Sequence, residues 1–389
     1  YEQANWYADG ERHTLPDDFY SSKYFIDKTI EFIAENEADD EPFFAYVPFQ
    51  AVHMPVQAPK EFSDKYAGMY DEGWVVMREK RRFAAEAAGV VPRDTQAVVT
   101  PGTLEWDSLT EEQKIHHARR MEVYAGMVDA MDMHIGRLMD YLKEIGEFEN
   151  TIFVFTSDNG AEGSNLIGVN GRAALGMGNW FDRVGYNSDL ETLGEANSFN
   201  AIGPNNATIA ASPLAYYKFY ASEGGLRVPL VMSGPGISKQ NEKTDEFVFV
   251  TDLTPTILSL VDLEKHDGSW KGDSIEEIIG TDFSEFLQGG ESDIHSDSQA
   301  IGYELGGNRA LFKGDYKLVF NRSAVNDQTW HLFNIKTDPG EARDLAQIEP
   351  QRYAEMLADY AAYESSNNVL PMPEGYIQRR EIFRGVQFN

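Results

Sequence analysis

The sequence predicts an α/β fold with a mostly parallel central sheet sandwiched by helices. A small C-terminal α+β subdomain of antiparallel strands plus a helix follows. Three observations carry that expectation. Residues 151–160 read Thr-Ile-Phe-Val-Phe-Thr-Ser-Asp-Asn-Gly, a short apolar run stopped by a turn cluster, which is the pattern of a strand buried on both faces. Ahead of it, Met121, Tyr124, Val128, Met131, Ile135, Leu138, Leu142 and Ile145 alternate three and four apart, the apolar stripe of a long helix. Past residue 290 the pattern changes to short strand-like runs separated by turns.

Composition sets the outer bounds. Of 389 residues, 42% are apolar and 12% aromatic, ample for a globular core and, by length, about two to three domains. No apolar run approaches the roughly 20 residues that span a bilayer. The formal charge of −31, from 64 acidic and 33 basic residues, argues against nucleic acid or an anionic membrane as partner. The acids are scattered, as on a strongly solvated surface. Cysteine is absent, so no disulfide or thiolate site exists. The opening at Tyr1, with neither an initiator Met nor a leader-like stretch, reads as internal to something longer.

Taken in order, Tyr24, Phe25, Ile30, Phe32 and Ile33 recur near helical spacing and predict a helix over 21–34. Residues 43–49 read as a second buried strand, ending in Gln50-Ala51-Val52-His53-Met54-Pro55. Residues 58–110 are mixed, with a helical piece near 79–82. Ser108 with Glu111 has the capping-box spacing that would open the long helix, and Gly146 would end it. Residues 159–218 are rich in Gly, Asn, Ala and Ser, but Trp180, Phe181 and Tyr186 favour an ordered, site-lining loop. Residues 228–232 and 247–250 predict two more short strands, the second followed by Thr254 as N-cap and Pro255 at the first helical position. The acidic stretch 262–297 divides a catalytic α/β domain, 1–290, from a small subdomain, 291–389. In the latter, runs at 300–304, 310–312, 316–320 and 330–333 predict an antiparallel sheet, with a helix over 351–362.

Asp158 and Asn159 place two hard oxygen donors beyond the carboxyl end of a strand, where open α/β sheets bind ligands. They suit Ca²⁺ or Mg²⁺, although Asp-Asn-Gly alone also reads as an ordinary turn. His53 follows a predicted strand and could pass a proton to a leaving group; a packed or surface role is its alternative. Lys218, among Tyr216, Tyr217, Phe219 and Tyr220, could aim a point charge at a tetrahedral anion or could snorkel at the surface. Glu223 and Arg227 are expected to pair and hold the bend at Gly224-Gly225.

The ordered series His53-x-Pro55, Ser157-Asp158-Asn159-Gly160 and Lys218-x-x-x-x-Glu223-Gly224-Gly225-x-Arg227-x-Pro229 resembles the sulfatases of the alkaline phosphatase superfamily, bacterial-type arylsulfatases above all. Residues 15–20, 121–125, 252–256, 313–318 and 332–341 also match that pattern. The resemblance implies an alkaline phosphatase-like fold and hydrolysis of a sulfate monoester. It implies that Asp158 and Asn159 ligate one Ca²⁺, that His53 assists departure of the alcohol, and that Lys218 binds the sulfate. It also implies a small-molecule or carbohydrate sulfate ester as partner and a periplasmic or secreted location.

Three parts of the family pattern have no counterpart in the sequence: an early Asp-Asp pair on the first strand, the Cys/Ser-x-Pro-x-Arg segment whose first residue becomes formylglycine, and a Gly-Lys-x-His-type segment. The chain therefore reads as the part of a sulfatase that follows its nucleophile, and is expected to be inactive alone. Two alternatives stand beside it. One is a phosphate or phosphonate monoester hydrolase on the same scaffold, which two zinc ions would favour. The other is a non-catalytic remnant that binds without turnover.

Overall fold

The computed structural model describes residues 5–37, 41–164, 166–168, 178–239, 241–266, 268–291, 293–322, 327–373 and 375–376. The chain forms two compact units. One comprises Tyr1–Arg78, Thr103–Glu149 and Glu162–Ala210; the other comprises Glu79–Gly102, Asn150–Ala161 and Ala211–Asn389.

The first unit is built on the long helix Glu111–Glu144, against which helix Ser21–Asn36 packs, with Ile26 and Ile33 of the latter buried. Arg137 Nη2 donates to Asp27 Oδ1 at 2.6 Å between the two helices. Gly146, at φ +82°, stops the long helix as its sequence position predicts. Its cap lies two residues after the predicted one. Thr110 Oγ1 accepts from Gln113 N at 3.3 Å and Gln113 Oε1 accepts from Thr110 N at 2.9 Å, so Thr110 with Gln113 forms the capping box. Ser108 Oγ is engaged by Glu105 O instead. Trp180, Phe181, Tyr186 and Phe199 form a cluster of rings with centroids 4.8–6.1 Å apart, which packs residues 178–199 together; residues 165 and 169–177 of the expected loop lie outside the described residues.

In the second unit, strands Ala300–Leu305, Asn308–Lys313, Tyr316–Phe320 and Trp330–Asn334 form an antiparallel meander, followed by helix Pro350–Ser366. These are the strands and helix the sequence predicts. Side chains alternate across the sheet. Leu311, Leu318 and Leu332 face the helix at Met356 and Tyr360, while Ala310, Phe312, Val319 and Phe333 face Ala221, Leu226 and Phe247 on the other side. Both faces are covered, so this small sheet has two cores.

Four expectations need correction. Residues 43–49 form no strand: Phe44 and Tyr46 are 82% and 80% exposed, because no described strand offers the hydrogen bonds an extended segment needs. Strand Phe153–Thr156 pairs antiparallel with Leu230–Ser233 rather than in parallel, and it is half-exposed rather than buried on both faces. Residues 247–250 are not a strand; Phe247 packs its ring on Phe312 at 4.9 Å. The helix after it, Leu253–Leu260, starts before Thr254, because the tight turn Val250–Asp252 runs straight into it; the Asp252 carboxylate accepts from Phe249 N and Thr281 N and makes no cap bond to the helix.

Candidate active site

In the first unit, the residues around His53 are fixed from below. Ala51, Val52 and Met54 pack on Val123, Met127 and Tyr124 of the long helix, and Val56 N donates to Asn200 O at 2.8 Å. His53 is thereby left pointing outward with its side chain 52% exposed. Its Nδ1 lies 2.9 Å from Met54 O; a carbonyl only accepts, so Nδ1 carries the proton in this bond. Nε2 is then the working nitrogen, and it lies 3.6 Å from Glu162 Oε2. Glu162 is itself held through Oε1, which accepts from Ser164 N at 2.8 Å.

In the second unit, the Asp158-Asn159 turn and the loop carrying Lys218 are joined through backbone. Lys218 N donates to Ala161 O at 3.0 Å and Gly160 N donates to Gly225 O at 2.9 Å. A Cβ on Gly160 would stand 1.9 Å from Gly224 O, one on Gly224 2.3 Å from Tyr216 O, and one on Gly225 2.2 Å from Tyr220 O. The three glycines are there because backbone meets backbone at this crossing. Asp158 is exposed, Asn159 and Lys218 are half-buried, and the Lys218 ammonium stands 5.4 Å from the centre of the Phe219 ring. One carboxylate and one amide oxygen on a fixed turn suit a hard cation, supplying two of the about six to eight oxygens Ca²⁺ takes. Among the described residues no group of three or more His, Cys, Asp or Glu could hold a metal.

Beneath that loop lies a buried ionic cluster. Lys317 Nζ is 2.9 Å from both Glu223 Oε1 and Glu341 Oε1, and Arg227 Nε is 2.6 Å from Glu223 Oε2. The expected Glu223–Arg227 pair is therefore real and is half of a larger device. Burial opposes ionisation of Glu223, but Lys317 and Arg227 outweigh it and hold its carboxyl below the usual range. Burial, with Glu223 adding to it against the pull of Lys317, lifts Glu341 above that range. One lysine serves two carboxylates, and Glu223 has the better share.

Sequence reasoning missed Glu162, Lys317 and Glu341 as site residues. Glu162 has no local signal. Lys317 had one: it sits two before Val319, on an inward face of an otherwise apolar strand, where a charge needs a buried partner.

The family model described as Sulfatase matches residues 1–263. An uncharacterized sulfatase of Schizosaccharomyces pombe is 37% identical over 97% of this chain and 67% of its own length.

The chain belongs to the sulfatase family.

An arylsulfatase of Klebsiella aerogenes is 33% identical over 66% of this sulfatase chain, which spans 54% of that relative's length. Among solved structures, that of Ps i-CgsB in complex with k-i-k-neocarrahexaose aligns with a TM-score of 0.59 at 20% identity, covering 98% of this chain and 62% of the other. A protein crystallised with its substrate D-glucosamine-2-N,6-O-disulfate aligns with a TM-score of 0.56 at 17% identity, covering 94% and 73%. These neighbours share the alkaline phosphatase-like α/β fold with this chain.

Proposed function

We propose that this sulfatase chain carries the sulfate-gripping and leaving-group half of an arylsulfatase-like sulfuric ester hydrolase. The observation that carries the reading is the backbone lock between the Asp158-Asn159 turn and the Lys218 loop, in a chain of this family. It makes one rigid piece of two segments that the family resemblance assigns to metal and to sulfate. The Lys218 ammonium neutralises the negative charge on the sulfuryl oxygens and so lets a nucleophile approach sulfur, while the electron pair of the breaking S–O bond goes to the alcohol oxygen. His53 releases a proton from Nε2 to the departing alcohol oxygen, with Nδ1–H anchored on Met54 O and Glu162 Oε2 3.6 Å from Nε2. Asp158 and Asn159 would hold a Ca²⁺ that polarises the sulfate oxygens. A formylglycine, expected from the resemblance in a segment these 389 residues do not contain, would supply the nucleophilic oxygen. The substrate would be a small-molecule or carbohydrate sulfate monoester; the neighbour crystallised with D-glucosamine-2-N,6-O-disulfate, a sulfated sugar, supports that class. A periplasmic or secreted location goes with this reading; among the described residues no helix is long and apolar enough to cross a membrane.

The test is metal analysis of the complete protein, paired with a screen of aryl and carbohydrate sulfates against phosphate and phosphonate esters. One equivalent of calcium with turnover of sulfates is the expected result. Zinc with preferred phosphate turnover would overturn it. The 389 residues alone are expected to be inactive on aryl sulfates.

A further inference from the structure

The loop 215–225 closes on itself where Gly224 N donates to Ala215 O at 2.7 Å, so whatever fixes its return limb fixes Lys218. That limb is gripped from the C-terminal sheet at successive residues. Asn321 Oδ1 accepts from Ala221 N at 2.8 Å, and Asn321 Nδ2 donates to Ser222 Oγ at 2.7 Å. Glu341 Oε1 accepts both from Glu223 N at 3.1 Å and from Lys317 Nζ at 2.9 Å, while Lys317, fully buried, reaches Glu223 Oε1 at 2.9 Å. Glu341 presents its carboxylate from a backbone at φ +51°, a conformation non-glycine residues seldom adopt. A buried lysine with two carboxylates is held together only while every member stays, because removing one strands the others in a medium that solvates them poorly.

We propose that Lys317 and Glu341 are positioning residues for Lys218. Through the main chain of Glu223 and its carboxylate they set the place at which the Lys218 ammonium meets the substrate anion. The proposal rests on the sulfate-binding role given to Lys218 above. Neither residue touches substrate, and each acts through residues 221–225.

The experiment uses the complete enzyme with p-nitrophenyl sulfate, comparing wild type, Glu341→Ala, Glu341→Gln and Lys218→Ala. Hydrogen exchange of residues 215–226 is measured alongside kinetics. Glu341→Ala removes the shared acceptor; it is expected to speed exchange in 215–226 by about tenfold or more and raise KM by about tenfold, with exchange elsewhere unchanged. Glu341→Gln keeps an oxygen facing both the Glu223 N–H and Lys317, and is expected to restore both readouts to near wild type. Unchanged exchange and KM in Glu341→Ala would overturn the proposal. So would faster exchange with unchanged kinetics, which would detach the grip on the loop from Lys218. If Glu341→Ala does not fold, Asn321→Ala loosens the same limb by neutral hydrogen bonds and carries the same two outcomes. Wild-type kinetics in Lys218→Ala would instead sink the sulfate-binding role itself, and exchange would still report on the grip.

Discussion

His53 and Lys218 differ in how they are held, and the difference decides what their removal should do. His53 is half-exposed and contributes nothing to the cluster of Val56, Val123 and Met127 that seats its neighbours. In the complete enzyme, His53→Ala should lower kcat by about 10²–10⁴-fold, the usual worth of a positioned proton donor, with the thermal midpoint unchanged. Lys218→Ala should cost about 10²–10³-fold, the worth of one strong donor to a developing oxyanion. Wild-type turnover of sulfate esters by either variant would remove that residue from the mechanism. Glu162 is a weaker partner. At 3.6 Å from a side chain open to solvent, it is worth below about 1 kcal/mol, so Glu162→Gln should reduce kcat less than about fivefold. Of the candidate site residues, Asp158, Asn159 and Lys218 have a local signal because chemistry and turn coincide beside the glycines that lock them, and His53 has only its place after an apolar run. Glu162, Lys317 and Glu341 act through partners up to 118 residues away, and no local pattern can encode such pairings.

Those glycines work at the scale of whole segments. Gly160 passes under the carbonyl of Gly224, where a Cβ would come within 1.9 Å of backbone oxygen that no rotamer change can move. Gly160→Ala should therefore break the Gly160 N to Gly225 O bond and destabilise the protein by about 1–3 kcal/mol, the range for forced overpacking. Chemical unfolding measures this directly, and wild-type stability would show that the two segments can separate without cost. Local encoding also explains which elements could be read in advance. Helices Ser21–Asn36 and Glu111–Glu144 carry their own apolar period, and the strands from Ala300 to Phe320 carry short apolar runs cut by glycine turns at Gly306-Gly307 and Gly314. Residues 43–49 carry only an apolar run. Whether such a run becomes a strand depends on a neighbour distant in sequence, and their exposed Phe44 and Tyr46 show that hydrophobicity alone does not supply one.

Charge and protonation act on the molecule as a whole. Acidic residues outnumber basic ones by 64 to 33, so the folded state repels itself. The exposed ion pairs that salt would weaken are worth about 0–1 kcal/mol each, and screening the net charge should win. The thermal midpoint should therefore rise between low and physiological salt, and a falling midpoint would contradict that balance. Acid brings in a separate term. His117 is buried edge-on to Trp74, ring centroids 5.2 Å apart, with neither ring nitrogen hydrogen-bonded. Burial first, then Arg120 and His116, push it down from 6.5 to about 3. Between those values the unfolded chain binds the proton and the folded one does not, so stability is complete above pH 6.5 and drains as pH falls towards 3. His116, lowered by burial and Arg120, and Asp252, lowered by His295 and backbone donors against the cost of burial, lose stability in the same direction. His295, raised by Asp252 against burial, does the reverse: its contribution is present in acid and fades as pH rises through its folded pKa. His117→Phe keeps a ring against Trp74 and removes the titration. Urea unfolding at pH 7 and pH 4 should find the variant losing less stability than wild type over that interval, by up to about 3 kcal/mol. Equal losses in the two proteins would mean that His117 gains a proton without the chain opening around it.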